Sequence, residues 1–227
     1  MKTLIVSTLL LLAFNFSIKY SYAQQHAAFY KTQIIHINGK TITLKPVSSS
    51  TATQYSFRSS MHDVKPVTIK KKKGVTKLKL SNGSFVTLKD KGVGTDNPDQ
   101  ESYQLLGQIM DKFYIVLAKY YESGEYLLIN KYDGTELKIW GELYISPDGL
   151  HIASFSGYLD YDEMPTGIQL FEIKGGKILL DWEYELKDWQ PNKIAWKNNN
   201  TLVVLKVIPE FMSPSKHEVK SYLELSF

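Results

Sequence analysis

The sequence predicts an all-β chain built from antiparallel units of four strands, and three observations support this fold class. Short apolar segments alternate with turn-forming pairs such as Asn-Gly, Asp-Gly and Gly-Gly along most of the chain. The composition includes 15 tyrosines and 13% aromatic residues, which favours sheet over helix. From residue 103 onward the strand segments recur as four-strand units at a spacing of roughly 40 to 50 residues.

Two hairpins and a polar segment are predicted in the N-terminal part, residues 24–102. Residues 32–47 form β-rich segments around Asn38-Gly39, and residues 76–88 do so around Asn82-Gly83. Asn-Gly tolerates the positive φ angles of a tight hairpin turn. Residues 48–73 are polar and end in four consecutive lysines, so we expect a linker there.

The C-terminal part, residues 103–227, is predicted to hold two complete four-strand units and a partial third. The segments of the first unit are 103–110, 113–121, 125–130 and 136–140. Those of the second are 142–145, 151–156, 167–173 and 177–184, and the third has 193–196, 201–208 and 219–227. Turn residues separate the segments throughout.

The turn Ser146-Pro147-Asp148-Gly149, followed by an apolar strand, resembles the blade motif of TolB-like, WD40-like β-propellers. Asp133-Gly134 and Gly175-Gly176 stand between the later strands of each unit, and residues 191–204 look like a degenerate next copy. The resemblance covers about half of the chain and implies a propeller-like stack. Because propellers usually close with four to eight blades, the stack is expected either to remain open or incomplete or to close as a ring. Unrelated functions share this fold, so the resemblance implies no activity.

The N-terminus predicts export. Lys2, the apolar residues 4–16 and the Ser21-Tyr22-Ala23 site have the pattern of a signal peptide cleaved after Ala23. The chain has no cysteine, which excludes disulfides and a lipid-acceptor cysteine, so it is expected not to be a lipoprotein. We therefore expect a secreted or periplasmic bacterial protein with no stable membrane insertion after cleavage. Without Lys2 and Lys19 of the predicted signal peptide, 25 basic residues stand against 23 acidic ones. This excess is too small to indicate nucleic acid or a polybasic membrane patch.

The loop 157–167 is the one segment whose composition suggests site chemistry. Asp160, Asp162 and Glu163 could supply oxygen ligands to Ca²⁺ or a general acid and base. Neither pattern is complete, because the spacing of an EF-hand loop and the rigid carboxylate pair of a glycosidase are both missing. We predict no catalytic, metal or cofactor residues, and keep these three as candidates only.

The four tryptophans lie at the unit boundaries, where packing between units is the main expectation and stacking on a sugar ring is the alternative. No nucleophile elbow, phosphate-binding loop or zinc motif occurs in the sequence. The sequence therefore predicts a non-catalytic binding or interaction protein of the cell envelope, with an unknown envelope or extracellular protein as partner. The alternatives are a glycan-binding or hydrolytic protein that uses the loop 157–167, and a structural component of the envelope.

Overall fold

A computed structural model describes residues 31–94, 98–159 and 165–227. The described residues form an all-β fold of fifteen strands, all paired antiparallel, which confirms the predicted fold class at that level. In the N-terminal part the strands are β1 (Gln33–Ile37), β2 (Lys40–Val47), β3 (Val75–Lys79) and β4 (Phe85–Lys89). They are followed by β5 (Ser102–Ile109), β6 (Phe113–Lys119), β7 (Gly124–Asn130), β8 (Glu136–Ile139), β9 (Leu143–Ile145) and β10 (His151–Ser156). The last five are β11 (Gly167–Lys174), β12 (Lys177–Glu185), β13 (Gln190–Asn198), β14 (Thr201–Ile208) and β15 (Val219–Ser226).

Both predicted hairpins are present. Asn38 and Gly39 connect β1 to β2 with φ angles of 50° and 78°, the two positive values that a type I′ turn requires. In the second hairpin only Gly83 has a positive φ, 87°, and the turn is closed by the Gly83 N–H, which donates to the Leu80 carbonyl at 3.0 Å. β3 and β4 pair with each other and form a two-stranded sheet, here called the hairpin sheet.

The two complete units of the prediction are two four-stranded sheets. Strands β5 to β8 form sheet 1 and strands β9 to β12 form sheet 2, each in sequence order. Strand β11 is apolar and buried over consecutive positions, from Ile168 to Phe171, with Gln169 the polar exception. A sheet that is covered on both faces needs such a run, because neighbouring side chains point to opposite sides.

The third unit is completed by a strand from the other end of the chain. Sheet 3 has the order β1-β2-β15-β14-β13, so β2 pairs with β15 and Leu44 lies opposite Leu225. The sequence alone left this unit partial, because a pairing between residues so far apart has no local signal. The division of the chain into residues 24–102 and 103–227 stays a prediction, and the β2–β15 pairing crosses it.

Three apolar clusters join the sheets face to face. One cluster lies between sheets 2 and 3 and includes Leu170, Trp182 and Val204. A second joins sheets 1 and 2 through residues such as Phe113 and Phe171, and a third joins the hairpin sheet to the other face of sheet 1. The order of packing is therefore hairpin sheet, sheet 1, sheet 2, sheet 3.

Residues 48–73, predicted as a linker, connect β2 to β3 and contact the sheets on the way. The short helix α1 (Ser49–Ala52) packs against β15, and its Ala52 is fully buried. Further along, the Ser59 hydroxyl donates to the Leu143 carbonyl of sheet 2 at 3.2 Å. Lys65 and Gln108 then exchange backbone hydrogen bonds of 2.8 and 2.9 Å with each other at the edge of sheet 1. This segment is held in place because its backbone and hydroxyl groups pair with strand edges.

Candidate functional site

The three predicted site residues, Asp160, Asp162 and Glu163, lie outside the described residues. The two ends of their loop are described. The Tyr158 N–H donates to the Thr166 hydroxyl at 3.2 Å, and the Leu159 N–H donates to the Gln190 side-chain carbonyl at 3.2 Å. The first bond joins the two ends of the loop, and the second fastens its base to the start of β13.

A cleft of about 870 Å³ opens beside the base of this loop. Its walls come from sheets 1, 2 and 3: the end of β6 and the β6–β7 turn, the β8–β9 connection, the end of β10, and β13. The lining residues are Leu117, Glu122, Ser123, Gly124, Tyr126, Trp140, Gly141, Glu142, Phe155, Ser156, Gly157, Tyr158, Pro191 and Asn192. We call this site the cleft.

Aromatic side chains form much of the cleft wall. Tyr126, Trp140 and Phe155 are partly buried, and Tyr158 is 50% exposed. Rings held in this way present flat apolar surfaces and lose little side-chain freedom when a ligand binds. Aromatic residues of this kind contribute most of the binding energy at many protein interfaces.

The charged residues among the described lining residues are Glu122 and Glu142, both exposed acids. Burial, followed by the charge of Glu142, raises the pKa of Tyr126, and the same two causes raise the pKa of Tyr144 to about 12. Burial is the larger cause of both shifts, and the negative charge at the cleft comes from Glu122 and Glu142 themselves. The cleft therefore suits neutral or cationic groups and disfavours anions.

Two glycines bring the walls of the cleft together. A Cβ atom at Gly141 would lie 2.1 Å from the Phe155 carbonyl oxygen, and one at Gly157 would lie 2.4 Å from the Pro191 carbonyl oxygen. Both approaches are closer than any side chain permits, so the backbones of sheets 2 and 3 and of the β8–β9 connection are in direct contact here.

Buried polar side chains hold the β8–β9 connection in place. The backbone N–H of Trp140 donates to the Gln169 side-chain oxygen at 3.0 Å, and the backbone N–H of Gly141 donates to the Ser154 hydroxyl at 2.9 Å. Gln169 and Ser154 are both buried. Because backbone donors buried without acceptors are costly, these bonds fix the position from which Trp140 enters the cleft.

The four tryptophans differ in their surroundings. Trp182 and Trp189 are buried in the cluster between sheets 2 and 3. Trp196 packs beside that cluster, and its indole N–H donates to the Tyr144 carbonyl at 2.8 Å. Trp140 alone among them lines the cleft.

The sequence did not point to Tyr126 or Glu142 as site residues, since an aromatic residue within a strand and an acid in a short connection are both common. A local signal existed in Trp140-Gly141-Glu142, a bulky aromatic followed by a glycine at a unit boundary. Among residues 31–94, 98–159 and 165–227, no group of three or more His, Asp or Glu side chains is arranged to hold a metal ion. In the same ranges no helix has the length and apolar character of a membrane span.

No protein-family model matches this chain, and neither the curated proteins nor the solved structures contain a match to it.

Proposed function

We propose that this chain is an exported, non-catalytic binding protein of the bacterial cell envelope that holds its partner in the cleft. The observation that carries the proposal is the cleft itself, where four aromatic side chains from sheets 1 and 2 and their connections surround an opening bounded by three sheets. An exposed, open site with anchored aromatic walls suits recognition of a surface or a peptide segment.

The side chains of the cleft support binding over catalysis. Nucleophilic and acid–base catalysis need a nucleophile next to a base, or a pair of carboxylates at fixed separation on rigid elements. The described lining residues supply carboxylates, hydroxyls, an amide and aromatic rings. Among them, neither serine hydroxyl is hydrogen-bonded to a carboxylate or another base. Such a set provides hydrogen-bond acceptors and stacking surfaces.

The partner segment is expected to carry basic or neutral polar side chains among apolar ones. A lysine or arginine that enters the cleft would meet the carboxylates of Glu122 and Glu142 and the faces of the aromatic rings. An anionic segment would meet negative charge.

We further propose that the stack is an open, propeller-like arrangement. Sheets 1, 2 and 3 each contain four neighbouring antiparallel strands. In sheet 3 the fourth of these strands, counted from β13, is β2, and β1 lies beyond it. Each sheet packs face to face on the next through one apolar cluster, as blades do. In this arrangement the cleft lies where connections from three blades meet.

The test is recovery of a partner from envelope extract, with the protein as bait. We expect a stoichiometric partner that a Trp140→Ala/Glu142→Gln variant no longer retains. The matched control is Tyr132→Ala/Glu136→Gln, which removes an exposed tyrosine and an exposed acid outside the cleft. Equal recovery by both variants, or turnover of a substrate with no partner above background, would contradict the proposal. N-terminal sequencing of the exported chain tests the location, since we expect Gln24 as the first residue.

A glycan is the second candidate ligand, and the aromatic wall of the cleft favours it. Trp140, Tyr126 and Tyr158 could stack on sugar rings, with the acids Asp160, Asp162 and Glu163 of the adjoining loop as hydrogen-bond acceptors. A glycan array tests this, with a variant in which all three acids become amides. No signal on the array, together with melting that Ca²⁺ does not change, would remove this candidate. A purely structural role predicts neither a glycan nor a stoichiometric partner.

A further inference from the structure

Basic charge is concentrated in one short part of the chain. Residues 65–91 contain nine of the 27 basic residues and one of the 23 acidic residues, Asp90. This segment comprises the end of the 48–73 connection, the hairpin sheet and the residues that follow it. This local excess of basic residues is not evident from the net charge of the whole chain, which is only +4.

The hairpin sheet directs part of this charge to one face. Thr76, Leu78 and Leu88 are buried against sheet 1, so the residues that alternate with them point the other way. Three cross-strand pairs occupy that outer face: Val75 opposite Lys89, Lys77 opposite Thr87, and Lys79 opposite Phe85. We call this the basic face.

Among the described residues, no acid is paired with the lysines of the basic face. Within the described part of the chain, no carboxylate lies at ion-pair distance from Lys77, Lys79 or Lys89, nor from Lys70, Lys72 or Lys73 nearby. Ion pairs occur on the flanks, where Lys71 meets Asp90 at 2.8 Å and Lys91 meets Glu101 at 2.9 Å. Like charges side by side on a sheet repel each other, so an anion that binds there relieves this repulsion.

The basic face also carries one exposed aromatic ring. Phe85 is 56% exposed and lies opposite Lys79, beside the turn that joins β3 to β4. Aromatic rings flanked by lysines suit a membrane surface, where the ring enters the interface and the ammonium groups reach phosphate. Single-stranded nucleic acid would instead require several stacking rings along a groove.

We propose that the basic face docks onto the surface of a membrane that contains anionic phospholipid. Docking there leaves the cleft open, since no residue of β3 or β4 is among its lining residues. The attraction is electrostatic and weakens with salt, and Phe85 adds a contribution that salt does not screen.

The experiment is co-flotation of the purified chain with vesicles of phosphatidylcholine alone, or with part of it replaced by phosphatidylglycerol. We expect binding to the anionic vesicles only, decreasing as salt increases. Replacing Lys77, Lys79 and Lys89 by glutamine should weaken this binding about a hundredfold. The reason is that each of the three lysines contributes a similar share of the binding free energy near an anionic surface. Replacing all three by arginine should preserve it. Phe85→Ser should weaken binding and leave its salt dependence unchanged.

The matched control replaces three exposed lysines elsewhere, Lys174, Lys187 and Lys193, by glutamine and removes the same total charge. We expect this control to bind anionic vesicles like the unmodified chain. Equal loss in both glutamine triples would show a net-charge effect and overturn the proposal. So would an absence of vesicle binding at low salt, or binding to a soluble polyanionic polysaccharide without binding to vesicles. If the chain binds neither the vesicles nor the polysaccharide, the lysines serve to keep the open edges of the hairpin sheet from pairing with other chains.

Discussion

Lys206 is a charged residue in an apolar setting, and its titration is measurable. It follows Leu202 and Val204 on the face of β14 that packs towards sheet 2, and its Nζ lies 5.1 Å from the centre of the Trp189 ring. Burial lowers the pKa of Lys206 to about 8, and the nearby charge of Asp188 acts in the opposite direction. An unfolded chain would titrate this lysine at about 10.4.

The free energy of unfolding should therefore rise between about pH 8 and pH 10. In that range the unfolded chain binds more protons than the folded one, so an increase in pH favours the folded state. Above about pH 10 the sign reverses, because the pKa of Tyr144 is raised to about 12 and the unfolded tyrosine loses its proton first. Lys206→Met should remove the rise below pH 10. Denaturant unfolding at several pH values measures this, and an unchanged rise in the variant would contradict it.

Gly141 is expected to accept no side chain. Gly141→Ala would place a Cβ atom 2.1 Å from the Phe155 carbonyl oxygen, which belongs to the backbone of a sheet and cannot rotate away. We expect the free energy of unfolding to fall by about 1–3 kcal/mol, as overpacked sites usually show. Glu142→Ala is the control, since that exposed neighbour should change stability by less than about 0.5 kcal/mol. Equal urea midpoints for the two variants would disprove the close contact.

At the scale of the elements, the attachment of the 48–73 connection to sheet 2 depends on the hydroxyl of Ser59, so one substitution tests it. The Ser59 side chain is buried, donates to the Leu143 carbonyl at 3.2 Å and accepts from the Met61 N–H at 3.1 Å. Ser59→Ala leaves both backbone groups without these partners and should cost about 1–2 kcal/mol of stability.

Ser48→Ala is the comparison for that variant. Ser48 caps helix α1 and accepts from the Thr51 N–H at 3.2 Å, but it is exposed and water can replace it. Ser48→Ala should therefore lower the stability less than Ser59→Ala does. Thermal melting of both variants measures the difference. A larger loss of stability in Ser48→Ala than in Ser59→Ala would show that the connection is not held at sheet 2.

Strands and local turns could be predicted because their signals are local. Asn38-Gly39 carries its own turn preference, and the apolar run of β11 indicates a strand buried on both faces. The cleft could not be predicted, because Tyr126, Trp140, Phe155 and Pro191 meet only after three sheets have packed. The same applies to the basic face: the lysines are visible in sequence, but their common direction depends on which side of β3 is buried.

At the scale of the whole molecule, the pairing of β2 with β15 joins the two ends of the described chain in one sheet. A chain that starts at Ser48 lacks β2. It therefore leaves one edge of β15 unpaired, with β14 as its remaining neighbour, and exposes Leu223 and Leu225 on the core face. We expect such a chain to aggregate or to lose cooperative unfolding. A chain that starts at Lys40 keeps β2 and loses only the edge strand β1, so it should remain folded. Soluble yield and melting of the two truncations test this, and equal behaviour would contradict the role given to β2.

The β2–β15 pairing also sets an order of events during synthesis. Sheet 3 cannot form until the ribosome has made residues 219–226, because β2 waits for β15 as its neighbour. Closing so long a loop is slow compared with forming local hairpins. A nascent chain of this protein thus stays without a complete sheet 3 until residues 219–226 have been made. If the chain crosses a membrane through a narrow translocation channel, sheet 3 is completed only in the compartment where β15 arrives.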